Sequence, residues 1–565
     1  MDEVELDSDF IAFLYEKGEV NLEHGEPRVR VMVARMLGSL GKRRDFGIKT
    51  YDRFIGKLSS SIKTNFERTQ NTIKDKISGE KDVAVDDTTG WKALETSILA
   101  LKELVTSIGK TLIEGGRLSD EIMEYACKGA TEHINRHVRE ASFGLITSII
   151  EALEVINPKD PFSMKLAEAI AKGLGDNWSQ VRFASSVSNR TFLKGLQTHE
   201  NRSEFYPLLL PRMCLNRYYM AEGVKLYSQQ TWKMFMGENG RDTVAQHSAQ
   251  VVDYYISMTE ANNHVVREAA CHCIAELAAK VDKSAVACFV DRLLAALLTC
   301  FRDESWPVRD AACVASGMFA SAFKDECRAH LPMLFDLWFK HLAEPIWSVR
   351  EDSAAALGKV CAAYGDEVTQ KCFQWIDENL CKAYEQEPMT FDEMKARQND
   401  AKAHTDQQRY SCGSLAPKLK KGGCSDCEIT RPSAPWEFTD GAIYLLNELS
   451  STSPEKAAEY LPKLADVAVL THFPQGDTLR ETLWKLLPNM ARNMGKKVFR
   501  PHLQLMIDPL FETLARPCTN QLAEHAARNC IDELSGFMGR SIFYGRLNEQ
   551  QKYEMDRWSC SSRFN

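Results

Sequence analysis

The chain repeats one short phrase at a nearly constant interval, and this feature constrains its fold more than any other. The phrase is DESWPVRDAACVASG at residues 303–317 and EPIWSVREDSAAALG at residues 344–358. Its Arg serves as a marker, and six markers follow one another at intervals of 41 to 43 residues: Arg139, Arg182, Lys225, Arg267, Arg309 and Arg350. A chain of this kind stacks copies of one repeat instead of forming a single compact core.

Each repeat has the pattern of two amphipathic helices. After Arg309, apolar residues recur every three or four positions, and the same spacing returns after a short polar break in RAHLPMLFDLWFKHL, residues 328–342. Such spacing places apolar side chains on one face of a helix. Pro332 stands near the start of the second helix, where its missing N–H is tolerated. Alternating runs bounded by Asn-Gly turns, which are typical of strands, are absent from the sequence. We therefore predict an all-α fold.

We call the helix that carries the marker the first helix of a repeat and the following helix its second helix. One such pair cannot bury its apolar face alone, whereas stacked pairs form an α-solenoid. Small residues after the marker, among them Ala311, Ala312 and Gly317, allow neighbouring first helices to approach closely. Looser copies of the repeat extend towards both ends of the chain, and the total is about ten or eleven helix pairs.

An acid stands six positions before three of the markers, in the pairs Asp176 and Arg182, Asp303 and Arg309, and Glu344 and Arg350. Together with the period and the Pro-led second helix, this spacing resembles the HEAT repeats of the armadillo-like helical superfamily. The resemblance covers roughly residues 27–384 and 434–545. It implies an ARM-type right-handed α-solenoid, in which the acid and the Arg lie in the turn between two helices and link neighbouring repeats in a structural ladder. Hydrogen bonds between charged groups are directional enough to set such stacking.

The sequence divides the chain into an acidic N-terminal segment at 1–26, a HEAT-repeat array at 27–384, a polar insertion at 385–433, a continued array at 434–545 and a C-terminal tail at 546–565. Near 40–82, apolar spacing indicates one long basic amphipathic helix. We expect this helix to pack on the first repeat, with binding to a membrane surface as the alternative. The insertion carries eight acids and eight bases with few periodic apolar residues. We predict that it is a mobile loop that contributes to binding and not to folding.

Composition limits the compartment and the partners. The formal net charge of −8 argues against nucleic acid as the main partner. No apolar stretch reaches the ~18 residues of a membrane helix, so we expect no membrane span. Many of the 17 Cys residues lie inside apolar helical patterns, as reduced and buried thiols do. We predict a cytoplasmic protein, with nuclear or cytoskeletal association as the alternatives.

Cysteines in the insertion form the one arrangement that suggests a metal. Cys424 and Cys427 make a CxxC pair, and Cys412 and His404 precede them. Four candidate ligands at this spacing are a weak indication of zinc, because the second half of the site is neither CxxC nor HxxxH. We favour plain loop thiols, and we expect no metal and no other cofactor.

Aromatic residues mark the turns before the markers. Trp178, Trp306 and Trp347 occupy matched positions, three or four residues before their Arg. Such a residue caps the core beneath it, or it belongs to a row of exposed aromatics that binds a protein partner. Capping is the simpler interpretation, and protein binding is the alternative.

No catalytic motif and no nucleotide-binding motif stands out in the sequence, so we predict a protein without enzymatic activity. Solenoids present long surfaces to other proteins, and the main functional prediction is a protein-binding scaffold or adaptor whose partners are unknown. A cytoskeletal role with tubulin as the partner is the first alternative, since some HEAT arrays with a Trp in the first turn bind tubulin. A nuclear transport carrier and a HEAT-like enzyme are the remaining alternatives.

Overall fold

The computed structural model describes residues 7–77, 90–393, 432–516 and 519–561. Every regular element within these residues is a helix, and the all-α prediction is confirmed. Contacts divide the chain into two compact units. We call them the N-terminal unit, whose described residues end at Tyr255, and the C-terminal unit, which begins at Ile256. None of the helices in the described part of the chain is long and apolar enough to cross a bilayer.

The N-terminal unit consists of short and medium helices joined by tight turns. Its α-helices, numbered α1 to α14 in chain order, are Ser8–Asn21, Pro27–Gly41, Gly47–Ile77, Trp91–Ile108, Lys110–Glu114, Asp120–Thr131, Arg136–Leu153, Pro161–Leu174, Ser179–Gly195, His199–Ser203, Tyr206–Asn216, Glu222–Phe235, Gly240–Gln246 and Ser248–Met258. One 3₁₀ turn lies at Gly237–Asn239. The boundary between the units falls within α14.

The C-terminal unit repeats the same alternation of helices. Its α-helices, α15 to α30, are His264–Lys280, Lys283–Val286, Val290–Cys300, Trp306–Ala322, Lys324–Cys327, Leu331–His341, Trp347–Tyr364, Asp366–Asn379, Pro435–Thr452, Pro454–Ala458, Leu461–Ala468, Gly476–Phe499, Leu503–Ala515, Gln521–Met538, Arg540–Tyr544 and Glu549–Ser561. In the described part of this unit, 3₁₀ turns lie at Ala287–Phe289, Arg328–His330, Lys382–Glu385 and Arg500–His502. The last helix occupies most of the segment that the sequence suggested was a tail.

First helices pack side by side within each unit. In the N-terminal unit, α2, α4, α7, α9 and α12 each contact the next helix of this series, and in the C-terminal unit α15, α18, α21, α23, α26 and α28 do the same. The second helices, such as α8, α17 and α20, pack against the first helix that follows them in the chain. This is the stacked arrangement that the repeat predicts. The number of repeats stays a prediction.

Glycines permit the closest approaches between first helices. A Cβ atom at Gly317 of α18 would lie 2.6 Å from the Cα of Ala356 on α21. A Cβ atom at Gly358 would lie 2.8 Å from the Cβ of Glu448 on α23. Both distances are below any normal contact, so each position requires a residue without a side chain. The small residues after the marker therefore set the spacing of the stack.

The long helix expected near 40–82 begins at Gly47, because residues 42–46 form a turn after α2. In this turn the main-chain N of Gly47 donates to the O of Arg43 (2.7 Å). A Cβ atom at Gly47 would meet the main-chain O of Gly41 at 2.5 Å, so only glycine fits where the chain reverses. The helix then packs on α4. Its buried residues include Tyr51, Phe54, Leu58 and Ile62.

Candidate protein-binding surface

Buried Arg side chains join successive repeats. Arg309, on the first turn of α18, donates through Nε to both carboxylate oxygens of Glu344 in the next repeat (3.0 and 3.2 Å), and its Nη2 also bonds Glu344. Its Nη1 donates to the main-chain O of Asp303 (2.7 Å) and Glu304 (3.1 Å) in its own turn. Arg309 thus binds main-chain carbonyls of the turn in its own repeat and a carboxylate of the turn in the next repeat.

The same arrangement recurs along each unit. Bidentate pairs join Arg139 to Asp176 (2.8 and 3.1 Å) and Arg267 to Asp303 (2.6 and 2.8 Å). The carboxylate of Asp303 also accepts from the main-chain N of Ser305 at the start of α18 (2.9 Å). The carboxylate of Asp303 therefore binds Arg267 of the preceding repeat and caps α18, and its main-chain carbonyl accepts from Arg309.

Two links depart from this pattern. Arg350 donates through Nε to Asp440 on α23 (2.8 Å), although the two residues are 90 positions apart. Among the residues that the structure describes, Arg182 has no carboxylate partner. Its Nη1 donates to Oδ1 of Asn216 (2.6 Å), and its guanidinium lies 4.3 Å from the centre of the Tyr219 ring. Where a neutral amide replaces the acid, a ring face supplies part of the interaction with the cation.

Electrostatics supports a structural role for these pairs. Burial by itself would raise the pKa of Glu344, but hydrogen bonds from His341 and the nearby Arg309 hold this pKa below its ordinary value of 4.5. Arg309 and Glu344 are only 5% exposed. A partner protein cannot reach them without opening the turn. This burial favours a structural role for the ladder over a role in binding, and that role stays a prediction.

The aromatic residues before the markers differ in exposure. Trp347 is 47% exposed, whereas Trp178 and Trp306 are half-buried. The guanidinium of Arg136 covers Trp178, 4.0 Å from its ring centre. Two other turn aromatics are also engaged, since Trp91 stacks on His137 and Trp436 lies beside Arg350. A role of the Trp row in protein binding stays a prediction, and Trp347 is the member best placed for it.

Carboxylates crowd together on the first helices of the C-terminal unit. We call the group formed by Glu268, Asp310, Glu351, Asp352 and Glu448 the acidic face; its members come from α15, α18, α21 and α23. The carboxyl groups of Asp310 and Asp352 lie on adjacent helices, close enough for Asp352 to raise the pKa of Asp310. Glu351 is exposed and the other four are half-buried. Carboxylates held this close repel one another when ionised.

The repulsion is visible in the pKa values. Burial, the charge of Asp352 and the hydrogen bond with Asp352 raise the pKa of Asp310 to about 8, although a hydrogen bond from Ser348 acts against them. Partial desolvation by the surrounding helices and the charges of Asp352 and Glu448 raise the pKa of Glu351, although part of its side chain stays exposed. Lys359 and Lys485 oppose these effects, yet Lys485 also pairs with Glu481. Asp310 therefore keeps its proton up to about pH 8, and a bound cation would favour its ionised form.

Known structures with a similar fold are large helical solenoids. Importin beta, crystallised in an ammonium sulfate condition, matches 94% of this chain and 58% of its own with 12% identity and a TM-score of 0.45. Kap121p matches 99% and 53% at 13% identity with a TM-score of 0.41, and its complex with RanGTP matches 96% and 46% at 12% identity with a TM-score of 0.44. The chain spans about half the length of these proteins. No protein-family model and no curated protein sequence matches it.

The fold is that of a HEAT-repeat protein. Stacked helix pairs at a period near forty residues and Arg side chains that bridge successive turns are the features that carry this assignment. The TM-scores are below 0.5, which is too low to argue for a shared function. The cytoplasmic location and the tubulin, nuclear transport and enzyme alternatives stay predictions.

The sequence analysis did not predict the acidic face, although part of it is visible in the repeat. An acid directly follows the marker Arg in three successive repeats, at Glu268, Asp310 and Glu351. This recurrence is the signal that could have revealed the acidic face. The candidate zinc ligands Cys412, Cys424 and Cys427 lie outside the described residues. Within the described ranges, His, Cys, Asp and Glu side chains form no group of three that could hold a metal ion.

Proposed function

We propose that this HEAT-repeat protein is a non-enzymatic scaffold that binds a positively charged segment of a partner protein on the acidic face. The observation that carries the proposal is the crowding of carboxylates from adjacent first helices, with the pKa of Asp310 raised to about 8. An incoming Lys or Arg side chain favours the ionised form of Asp310, offsets the repulsion between neighbouring carboxylates and gains charge-assisted hydrogen bonds.

Trp347 adds an apolar component to the same region. It begins α21, the helix that also carries Glu351 and Asp352, and nearly half of its surface is exposed. Trp is the ring that binds cations most strongly on its face, and it is enriched where protein interfaces gain most of their energy. A Lys- or Arg-containing segment therefore fits this surface better than an acidic or a purely apolar one.

The test is a binding titration with labelled peptides. A Lys/Arg-rich peptide is expected to bind, and a charge-inverted Glu/Asp peptide is not, as measured by fluorescence anisotropy. The double variant Asp310→Asn with Asp352→Asn should weaken binding about tenfold, equivalent to ~1.4 kcal/mol. The matched control is Asp325→Asn with Glu326→Gln, which removes two exposed acids from α19.

Equal binding of the cationic peptide to both double variants would place its site elsewhere. Absence of binding by the wild-type protein would remove the preference for a cationic partner. Affinity purification from native lysate with the same pair of variants then identifies the natural partner, because a true ligand of the acidic face is lost from one variant and retained by the control.

A further inference from the structure

Two cysteines of the C-terminal unit touch across consecutive helices. Cys361 lies in the last turn of α21 and Cys372 in the second turn of α22, and their Sγ atoms are 3.5 Å apart. The two helices are joined by Gly365 alone, in the left-handed region at φ +82°. So short a connection holds the two sulfur atoms together in the folded protein. We call Cys361 and Cys372 the thiol pair.

The two members of the thiol pair differ in acidity. A hydrogen bond with Cys372 lowers the pKa of Cys361 in spite of its burial, and Thr369 adds a second favourable hydrogen bond. The pKa of Cys372 is raised by the same contact and by burial. Such an asymmetry gives one sulfur the character of an attacking thiolate and leaves the other to resolve the intermediate.

Two other buried cysteines, Cys271 and Cys313, lack this combination. Cys271 also has a neighbouring cysteine, Cys300, but this neighbour and burial raise the pKa of Cys271 well above its ordinary value. Cys313 contacts the hydroxyl of Ser353, and burial raises its pKa. The pair formed by Cys271 and Cys300 is therefore a natural internal control for the thiol pair.

We propose that Cys361 and Cys372 form a reversible intramolecular disulfide when the protein meets hydrogen peroxide. The Cys361 thiolate attacks one peroxide oxygen, the O–O bond breaks, and hydroxide leaves and takes up a proton to become water. Cys361 is then a sulfenic acid. The Cys372 sulfur loses its proton and attacks Sγ of Cys361, the S–O bond breaks, and a second water leaves. Two thiols are oxidised and one peroxide is reduced to two waters.

The positions of the two residues permit this reaction. The sulfur atoms need to approach from 3.5 Å to the ~2.05 Å of a disulfide. Both are almost fully buried, with Cys361 2% exposed, but Cys361 is one turn from exposed Gly365 at the end of α21. Helix ends open locally far more often than the whole protein unfolds, which admits a small oxidant. The disulfide then fixes α21 against α22.

The experiment uses the full chain with the exposed residues Cys288 and Cys381 replaced by Ser, which suppresses links between molecules. The protein is treated with hydrogen peroxide, free thiols are alkylated, and cross-linked peptides are identified by mass spectrometry. A peptide that joins Cys361 to Cys372 is expected, and dithiothreitol should remove it. The double variant Cys271→Ser with Cys300→Ser should retain this peptide, whereas Cys361→Ser should lose it.

Two results would overturn the proposal. One is recovery of both Cys361 and Cys372 as alkylated free thiols after peroxide treatment that oxidises other cysteines. The other is a disulfide of either residue with a different cysteine. The decisive mapping is made without any change at the thiol pair, so misfolding of Cys361→Ser does not affect the outcome. The cationic-peptide titration does not depend on this result, and each proposal stands or fails on its own.

Discussion

Replacing Arg309 by Met is the perturbation that tests the ladder most directly. Met keeps much of the apolar volume of the Arg side chain but removes all five donors. Glu344 then keeps Nδ1 of His341, 2.8 Å away, as a side-chain partner. The carbonyl oxygens of Asp303 and Glu304 lose their donor as well. The change therefore leaves a buried carboxylate without its compensating cation.

Loss of one partner from a buried ion pair costs ~3–5 kcal/mol, because the remaining charge stays desolvated. Arg309 and Glu344 are both about 5% exposed, so this value needs little reduction for solvent screening. Glu344→Gln combined with Arg309→Met removes the unpaired charge. The double variant should therefore be less destabilised than the sum of the two single variants.

The pH dependence has a defined sign. The pKa of Glu344 lies below 4.5 in the folded protein, so its contribution to stability is present above the pKa of the unfolded chain and is lost as the pH falls through the folded value. At acid pH the carboxylate becomes protonated and the cost of Arg309→Met should shrink. Glu344→Gln should remove this part of the acid sensitivity.

The assay is urea unfolding with hydrogen exchange followed on peptides that cover residues 303–350, since two compact units need not unfold together. Loss of protection in these peptides, with peptides from the N-terminal unit unchanged, is the expected result. A change below ~0.5 kcal/mol, the size typical of ordinary surface substitutions, would refute the role assigned to Arg309.

Three further predictions concern other parts of the molecule. The folded protein holds a proton on Asp310 up to about pH 8, so its stability should fall as the pH rises towards that value, and Asp310→Asn should flatten the melting temperature over this range. If the melting temperature of Asp310→Asn fell with pH as steeply as that of the wild-type protein, the raised pKa of Asp310 would be contradicted. Gly317→Ala should lower the free energy of unfolding by ~1–3 kcal/mol, because the new Cβ meets the backbone of Ala356. Gly56→Ala on α3, where a Cβ meets nothing, should be neutral or raise this free energy by ~0.5–1 kcal/mol. Thermal melts of both variants measure the difference. Replacing residues 394–431 by a short Gly/Ser linker should leave the melting temperature nearly unchanged, because α21 packs directly on α23 and the cost of loop closure grows slowly with length. A large fall in both the linker variant and chelator-treated protein would instead favour a structural zinc at Cys412, Cys424 and Cys427.

The sequence by itself determined the helices and their pairing into repeats. Apolar spacing within some fifteen residues fixes which face of a helix is buried, and it needs no knowledge of distant residues. The helices Trp306–Ala322 and Leu331–His341 follow this local pattern. The Gly at position 317 likewise indicated where neighbouring first helices come together, because only one residue type fits so close a contact.

Only the tertiary structure decided which groups meet. The spacing of Asp303 and Arg309 drew attention to the acid of the same turn, but Arg309 uses only the main-chain O of Asp303 and directs its charge to Glu344, 35 positions later. The partner of Arg350 lies beyond the insertion at Asp440. Exposure of Trp347 and crowding on the acidic face have the same origin. Each depends on how closely helices from different repeats approach. The stacking geometry sets that distance, and the spacing of residues within one helix gives no information about it.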